Sequence, residues 1–295
     1  MESLMGGIPE PGAGRRLHIS HRTGYTYAGP VDASFNEVRM TPLHRGGQVL
    51  LSHTLHVTPS TTVQSYVDYW GAHVETFDVH DPHERLEVVS VSTVDTPAHR
   101  RIDKRADWQT VTSDSVADRW AEYLSATSYV DDAALDAQRN GIVQAMTTTS
   151  TPRDAVHMAV RAVRDRITYT PGVTSVYTTA QEAWTERHGV CQDFAHATLS
   201  LLRAARIPSR YVSGYLHSLE ERVGETVAGE SHAWVEYWDG DWHAVDPTND
   251  REVGPAHVVV AHGRDYADVP PLKGIYAGGA SEALGVIVEI TQQAT

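Results

Sequence analysis

Cysteine is what this chain has least of: one thiol, Cys191, among 295 residues. A lone cysteine forms no intrachain disulfide, so nothing here rests on a disulfide framework, and a reducing, cytoplasmic setting is the expectation. Long apolar runs are missing too. No segment approaches the roughly 20 residues a membrane-spanning helix needs, so no membrane partner is expected. Positive charge is scarce, with 24 Lys and Arg against 38 Asp and Glu and a net charge of −14. A phosphate backbone needs clustered cations, so nucleic acid is excluded as an expected partner. Repeats, Gly-rich phosphate loops and an HExxH zinc pattern are absent. The acidic balance reads as solubility. Residues 1–16 are Gly/Pro-rich without an apolar core, and read as a flexible N-terminus rather than a signal peptide.

What is present falls into three stretches. Residues 17–97 read as an antiparallel β domain, with strands over Leu17–Tyr27, Val49–Val57, Val63–Tyr69, His73–Val79 and Leu86–Val94 between Gly/Pro-rich turns. Residues 98–150 read as a helical connection in which Val116, Trp120, Tyr123 and Leu124 share a face. A second helical run covers Ala133–Met146, and Gly141 reads as a break. From residue 151 to 295 helices precede strands, which predicts an α+β fold. Thr151-Pro152-Arg153-Asp154 opens the first helix with a cap, a proline at its first position and an acid three past the cap. A short helix over Ala180–Glu186 comes next, capped by Thr178 or Thr179. Strands are then expected over Tyr211–Leu216, His232–Trp238, Trp242–Val245, Val258–Ala261 and Leu284–Ile290, with the acidic stretch 220–230 as a mobile loop.

Cys191 opens a helix whose buried face is Phe194, Ala197, Thr198, Leu201, Leu202 and Ala205, ended by Ile207-Pro208. In a first turn, free N–H groups and the positive end of the helix dipole favour an anionic sulfur. Most free cysteines are small buried hydrophobes; the polar neighbours Gln192 and Asp193 argue for chemistry here. A cysteine nucleophile needs a base and a group to orient it. With 17 histidines in the chain, position must choose among them. His232 and Asp246 lie on the two arms of a hairpin. A three-residue turn at 239–241 pairs Trp238 with Trp242 and puts both side chains on one face, whereas a two-residue turn would put Asp246 on the other. His196 lies about 140° round the helix from Cys191 and should face elsewhere. The pairs His18/His21, His53/His56 and His80/His83 suggest metal ligands, yet no zinc pattern completes them, and neither metal nor cofactor is expected.

Four segments in order, Gly189–Ala195, Arg206–Tyr215, His232–Glu236 and Trp242–Thr248, resemble the transglutaminase-like superfamily, whose core is a circular variant of the papain fold. The spacing fits that family, with the histidine 41 residues beyond the cysteine and the aspartate 14 further. The tail Gly263–Gly274 and the β region 17–97 look like the bacterial subgroup. The resemblance implies Cys191 as nucleophile, His232 as general base then acid, and Asp246 as orienting group. It further implies a thioester intermediate and an oxyanion held by the Cys191 N–H and one more donor, for which Gln181, Trp184 and Tyr169 are candidates. Trp234, Tyr169, Trp184 and Asp265 are candidate substrate contacts, with Tyr266 and Asp268 beside them, and Arg210 reads as an ion-pair former. Hydrolysis of a peptide or amide bond, as a cysteine peptidase or amidase, is the first expectation. A protein-glutamine γ-glutamyltransferase and a non-catalytic binding module are the alternatives. The expected partner is a peptide or protein substrate, which the β domain could recruit; the oligomeric state stays open.

Overall fold

Side chains alternate between the two faces of a strand, and the first strand buries every second one from Arg15 to His21. The structure is a computed structural model that describes residues 13–98, 104–131, 135–217, 223–278 and 280–294. Its first six strands are β1 (Arg15–Val31), β2 (Ala33–Val38), β3 (Val49–Thr58), β4 (Val63–Val67), β5 (His73–Val79) and β6 (His83–Thr96). β6 lies antiparallel between β1 and β3, while β2, β5 and β4 form a second sheet in that order. Val38, Met40, Phe77, Leu86 and Val88 belong to the apolar cluster of this half. β4 ends at Val67 rather than Tyr69 because Asp68 starts a tight turn, its carboxylate accepting the N–H groups of Trp70 and Ala72. β2 has no counterpart among the strands expected from the sequence.

The middle stretch contributes α1 (Trp108–Val111), α2 (Asp114–Arg119) and α3 (Ala137–Thr147). α3 runs straight through Gly141, so the expected break is corrected. That glycine faces open space, and an exposed glycine costs a helix only about 1 kcal/mol. Val111, Val130 and Met146 are buried in the main core, which ties this region to the C-terminal half of the chain.

That half begins with α4 (Pro152–Arg166), where the Thr151 hydroxyl caps the Asp154 N–H and Ala155, Val156, Ala159, Val160 and Val163 are buried. β7 (Thr168–Tyr169) pairs in parallel with β8 (His188–Gly189) across α5 (Ala180–Glu186), which Thr179 and Glu182 close with a capping box. α6 (Cys191–Ala204) is buried from Gln192 to Arg203. β9 (Ser209–Leu216), β10 (Thr226–Trp238), β11 (Trp242–Asp246), β12 (Arg251–Glu252) and β13 (His257–Gly263) pair antiparallel in the order β12-β11-β10-β9-β13. The expected loop at 220–230 is shorter than predicted, since β10 begins at Thr226; residues 218–222 lie outside the described residues.

The last two strands cross back. β14 (Leu272–Ala277) pairs with β2, and β15 (Ser281–Gln293) pairs with β1 on one side and with Thr226–Gly229 of β10 on the other. A boundary that assigns 17–97 to one domain and 151–295 to another therefore divides strands that share sheets. The edges of β1 and β2 would otherwise present unpaired backbone groups. The architecture is α+β: N-terminal antiparallel sheets joined to a core in which the cysteine helix packs on an antiparallel sheet. No helix among the described residues is long and apolar enough to cross a membrane.

Candidate active site

The hairpin fixes the site. β10 and β11 pair Trp238 with Trp242 and Val235 with Val245, leaving Asp239, Gly240 and Asp241 as the turn. Gly240 takes φ +103°, a conformation glycine adopts without a side-chain clash. With that register Asp246 lies on the His232 side, and His232 Nε2 meets Asp246 Oδ2 at 2.9 Å. Both side chains are buried. Asp246 is ringed by donors: the N–H groups of Thr248 and Asn249 reach Oδ1, while Asn249 Nδ2 reaches Oδ2 at 2.8 Å.

Cys191 comes to the same imidazole from the first turn of α6. Val190 is the N-cap, and Asp193 folds back to accept the Val190 N–H at 2.7 Å and the Thr174 hydroxyl at 2.8 Å. Burial pushes the Asp193 carboxyl up, against these two hydrogen bonds. Gln192 is tied to the preceding loop through its amide, which donates to the Val176 carbonyl. Burial alone would lower His232, but the Asp246 carboxylate and the nearby Cys191 outweigh it and raise the imidazole to about 9. Asp246 is held well below the usual carboxylate range: burial opposes this, and the donors His232, His257 and Asn249 prevail. Nε2 of His232 is engaged by Asp246, and Nδ1 has no hydrogen-bond partner. This arrangement brings a thiol, an imidazole and a carboxylate near one another.

The other site expectations fare unevenly. Trp184 is fully buried, with the Arg166 guanidinium over its ring at 5.4 Å and that of Arg139 at 5.9 Å. Trp234 is also fully buried, stacked on His232 at 6.1 Å between ring centroids. Neither has surface to offer a substrate, so both are corrected to packing residues. Asp265 is buried and caps its own turn by accepting the Ala267 N–H, while Asp268 binds Arg264; these are the turn network. Gln181 pairs with Arg139 and Thr185. Tyr169 remains exposed, tilted against Phe194 of α6 at 6.3 Å. Arg210 pairs with Glu236 and lies over the Trp242 ring at 4.1 Å. His196 is fully buried between Tyr129 and Tyr211, accepts the Tyr266 N–H, and is lowered by burial to about 3.

Tyr266, named beside the candidate contacts, gathers here with residues the sequence did not single out. Burial raises Tyr266 to about 12, with Tyr25, Tyr129 and Tyr177 close enough to add to the shift, and Cys191 adds in the same way to the buried Tyr211. Tyr25 is on β1, so the N-terminal sheet borders this tyrosine group. His257 Nε2 meets Asp246 Oδ2 at 3.3 Å. Among the described residues, His232, Asp246 and His257 form the group whose ligand atoms could hold a metal, all within 4.8 Å. The aspartate oxygen meets a ring nitrogen of each histidine. The paired histidines of the β region are hydrogen-bonded elsewhere, His21 to Tyr215, His53 to Ser92 and His83 to Ser34. A cavity of about 800 Å³ lined by Arg45, Trp242, His257 and His262 lies beyond β11 and β13 and does not reach Cys191.

Comparison with known proteins identifies the family. Residues 17–95 match the bacterial transglutaminase-like N-terminal region, and residues 140–247 match the transglutaminase-like superfamily. An uncharacterized Mycobacterium leprae protein is 42% identical over 280 residues, covering 95% of this chain and 99% of the relative. A Mycobacterium tuberculosis protein, also uncharacterized, is 32% identical over 298 residues, covering 93% and 92%. A solved Cytophaga hutchinsonii structure, named as a candidate cysteine protease, superposes with a TM-score of 0.76 at 22% identity over 96% of this chain and 92% of that one. The chain belongs to the transglutaminase-like superfamily and carries, ahead of the core, the N-terminal region of its bacterial members.

Proposed function

We propose that this protein is a cysteine-dependent acyl-transfer enzyme that hydrolyses a peptide or amide bond. The reading rests on one observation: His232 is hydrogen-bonded to Asp246 at 2.9 Å, with Cys191 nearby in the first turn of α6. Because Nε2 is engaged by Asp246, Nδ1 is the nitrogen that exchanges a proton with Sγ. The sulfur attacks the carbonyl carbon, and the oxyanion is held by N–H groups of the α6 first turn, Cys191 foremost. Collapse breaks the C–N bond, the leaving amine takes the proton from His232, and an acyl thioester remains. Water then gives a proton to His232, attacks the thioester and releases the acid, with the proton returned to sulfur. Asp246 holds the ring and stabilises the imidazolium. A peptide or protein is the substrate, and a reducing cytoplasm suits a chain whose one thiol is its nucleophile.

Transamidation is the second reading. It is favoured by 42% identity over 67 residues, 21% of this chain, to a Pseudomonas aeruginosa protein-glutamine γ-glutamyltransferase, a match covering 10% of that protein. Incubation with a peptide library and a labelled primary amine separates the two. Cleavage with a new terminus is expected; ammonia release with amine incorporation would establish the transferase. Absence of any thioester or product, with Cys191 inert to alkylation, would overturn both.

A further inference from the structure

The geometry points to His257 as a positioning residue for the proposed reaction, a second imidazole on the Asp246 oxygen that also meets His232. It opens β13, is buried, and its Nε2 lies 3.3 Å from the Asp246 oxygen that also receives His232. Its tautomer is set by the backbone. The Gly254 N–H donates to Nδ1 at 3.2 Å, so Nδ1 is an acceptor and the ring proton sits on Nε2, facing Asp246. The ring packs edge-on against Trp234 at 5.2 Å, and Trp234 stacks on His232. One indole thus braces both histidines.

His257 bears on the reaction in two ways. A neutral donor on Oδ2 pins the carboxylate that orients His232. It also draws charge from that oxygen, so Asp246 stabilises the His232 imidazolium less than an unshared carboxylate would. The charged and titratable groups around His257 are Asp246 on β11, His232 on β10, Arg251 on β12, and His217 just past β9. Burial, His232 and Arg251 all oppose its protonation; Asp246 favours it, and the balance lies below the ordinary value. The Gly254 N–H on Nδ1 and the burial of the ring both favour His257 as a neutral donor rather than a third proton carrier.

The role rests on the proposed function, and the test separates the two. Cys191 is alkylated with iodoacetate, an anion whose approach the His232 imidazolium favours, and the rate is followed against pH with no substrate present. In His257→Leu the alkaline fall in rate is expected to move up by about half a pH unit or more, because Asp246 then serves His232 alone. His257→Gln, whose side-chain amide can present a donor to Oδ2, is expected to bring the fall back toward that of the parent chain. An unmoved limb in a folded His257→Leu, or a shift that His257→Gln does not reverse, would overturn the inference while leaving the nucleophile intact. A Cys191 that alkylates in no variant would instead remove the proposed function. If His257→Leu does not fold, 15N NMR of the parent chain decides. A His257 proton on Nε2 that persists without titration from pH 6 to pH 9 is expected; an imidazolium at pH 6 would refute the role.

Discussion

Gly214 of β9 lies against Trp234 of β10 so closely that a Cβ on the glycine would come within 2.5 Å of the indole Cη2 and 2.0 Å of the Val258 carbonyl oxygen. The second atom is backbone and cannot turn aside. Gly214→Ala is therefore expected to destabilise the fold by about 1–3 kcal/mol or more, as overpacked cores do. Because Trp234 stacks on His232, Cys191 reactivity should fall along with stability. Denaturant midpoints and alkylation rates on the same preparation check both effects.

Cys191→Ala is expected to abolish turnover and labelling while leaving the thermal midpoint nearly unchanged, since the side chain stands at the end of α6 and is only partly buried. Asp246→Asn should keep the hairpin but present the wrong group to His232, lowering kcat on the order of 10³-fold or more. Steady-state kinetics with circular dichroism as a folding control measures this. Retained turnover in the alanine variant would remove the nucleophile from the mechanism.

The hairpin carrying His232 and Asp246 was legible because turn length alone decides which face Asp246 occupies, and Trp238 and Trp242 pair as that rule requires. The cap at Thr151 was legible because it is a local contest over a few N–H groups, and the same contest narrowed the next cap to Thr178 or Thr179, of which the structure uses Thr179. β2 and β14 were not. Their sequences, Ala33–Val38 and Leu272–Ala277, carry little alternation and become strands by pairing with each other across more than two hundred residues. His257 was hidden because it opens an apolar strand and reads as part of the core; the turn from Gly254 that sets its tautomer is visible only in three dimensions. Trp184 and Trp234 were misplaced because a tryptophan near a reactive group looks the same in sequence whether it walls a cleft or lies under one.

Activity should fall as pH rises through about 9, the value to which His232 is raised. The imidazolium partner of the sulfur is then lost. The same shift affects stability. A histidine whose folded value lies above its unfolded one, about 6.5, stabilises fully below 6.5 and loses that contribution as pH climbs through 9. Parallel pH profiles of kcat/KM and of the denaturant midpoint test it. A rate unchanged to pH 10 would contradict the assignment.

Acid should weaken the fold for the opposite reason. Burial lowers His21 to about 4 and His196 to about 3, and burial with the neighbouring Arg15 lowers His217 to about 4. The unfolded chain binds protons at these sites from about pH 6.5 downward while the folded chain does not, so stability declines from 6.5 toward 4. The summed loss is expected to be on the order of a few kcal/mol. Urea unfolding at pH 7, 6, 5 and 4 measures it; a flat midpoint over that range would show the rings to be solvated.

Arg210 and Glu236 form a largely buried pair, with His262 on the second carboxylate oxygen. Arg210→Met strands the carboxylate and is expected to cost about 3–5 kcal/mol. Replacing both, Arg210→Met with Glu236→Leu, should recover much of that loss. A double-mutant cycle by chemical unfolding gives the coupling directly.

The strand β15 lies between β1 and the head of β10, so the sheet that supports His232 is completed by a segment made after both of those strands. Until residues 281–293 emerge, β1 and β10 each lack this neighbour, and the arm bearing the base is held from fewer sides. A nascent chain would thus assemble its reactive thiol well before the imidazole meant to serve it is fixed in place. The order of synthesis delays that support until β15 has been made.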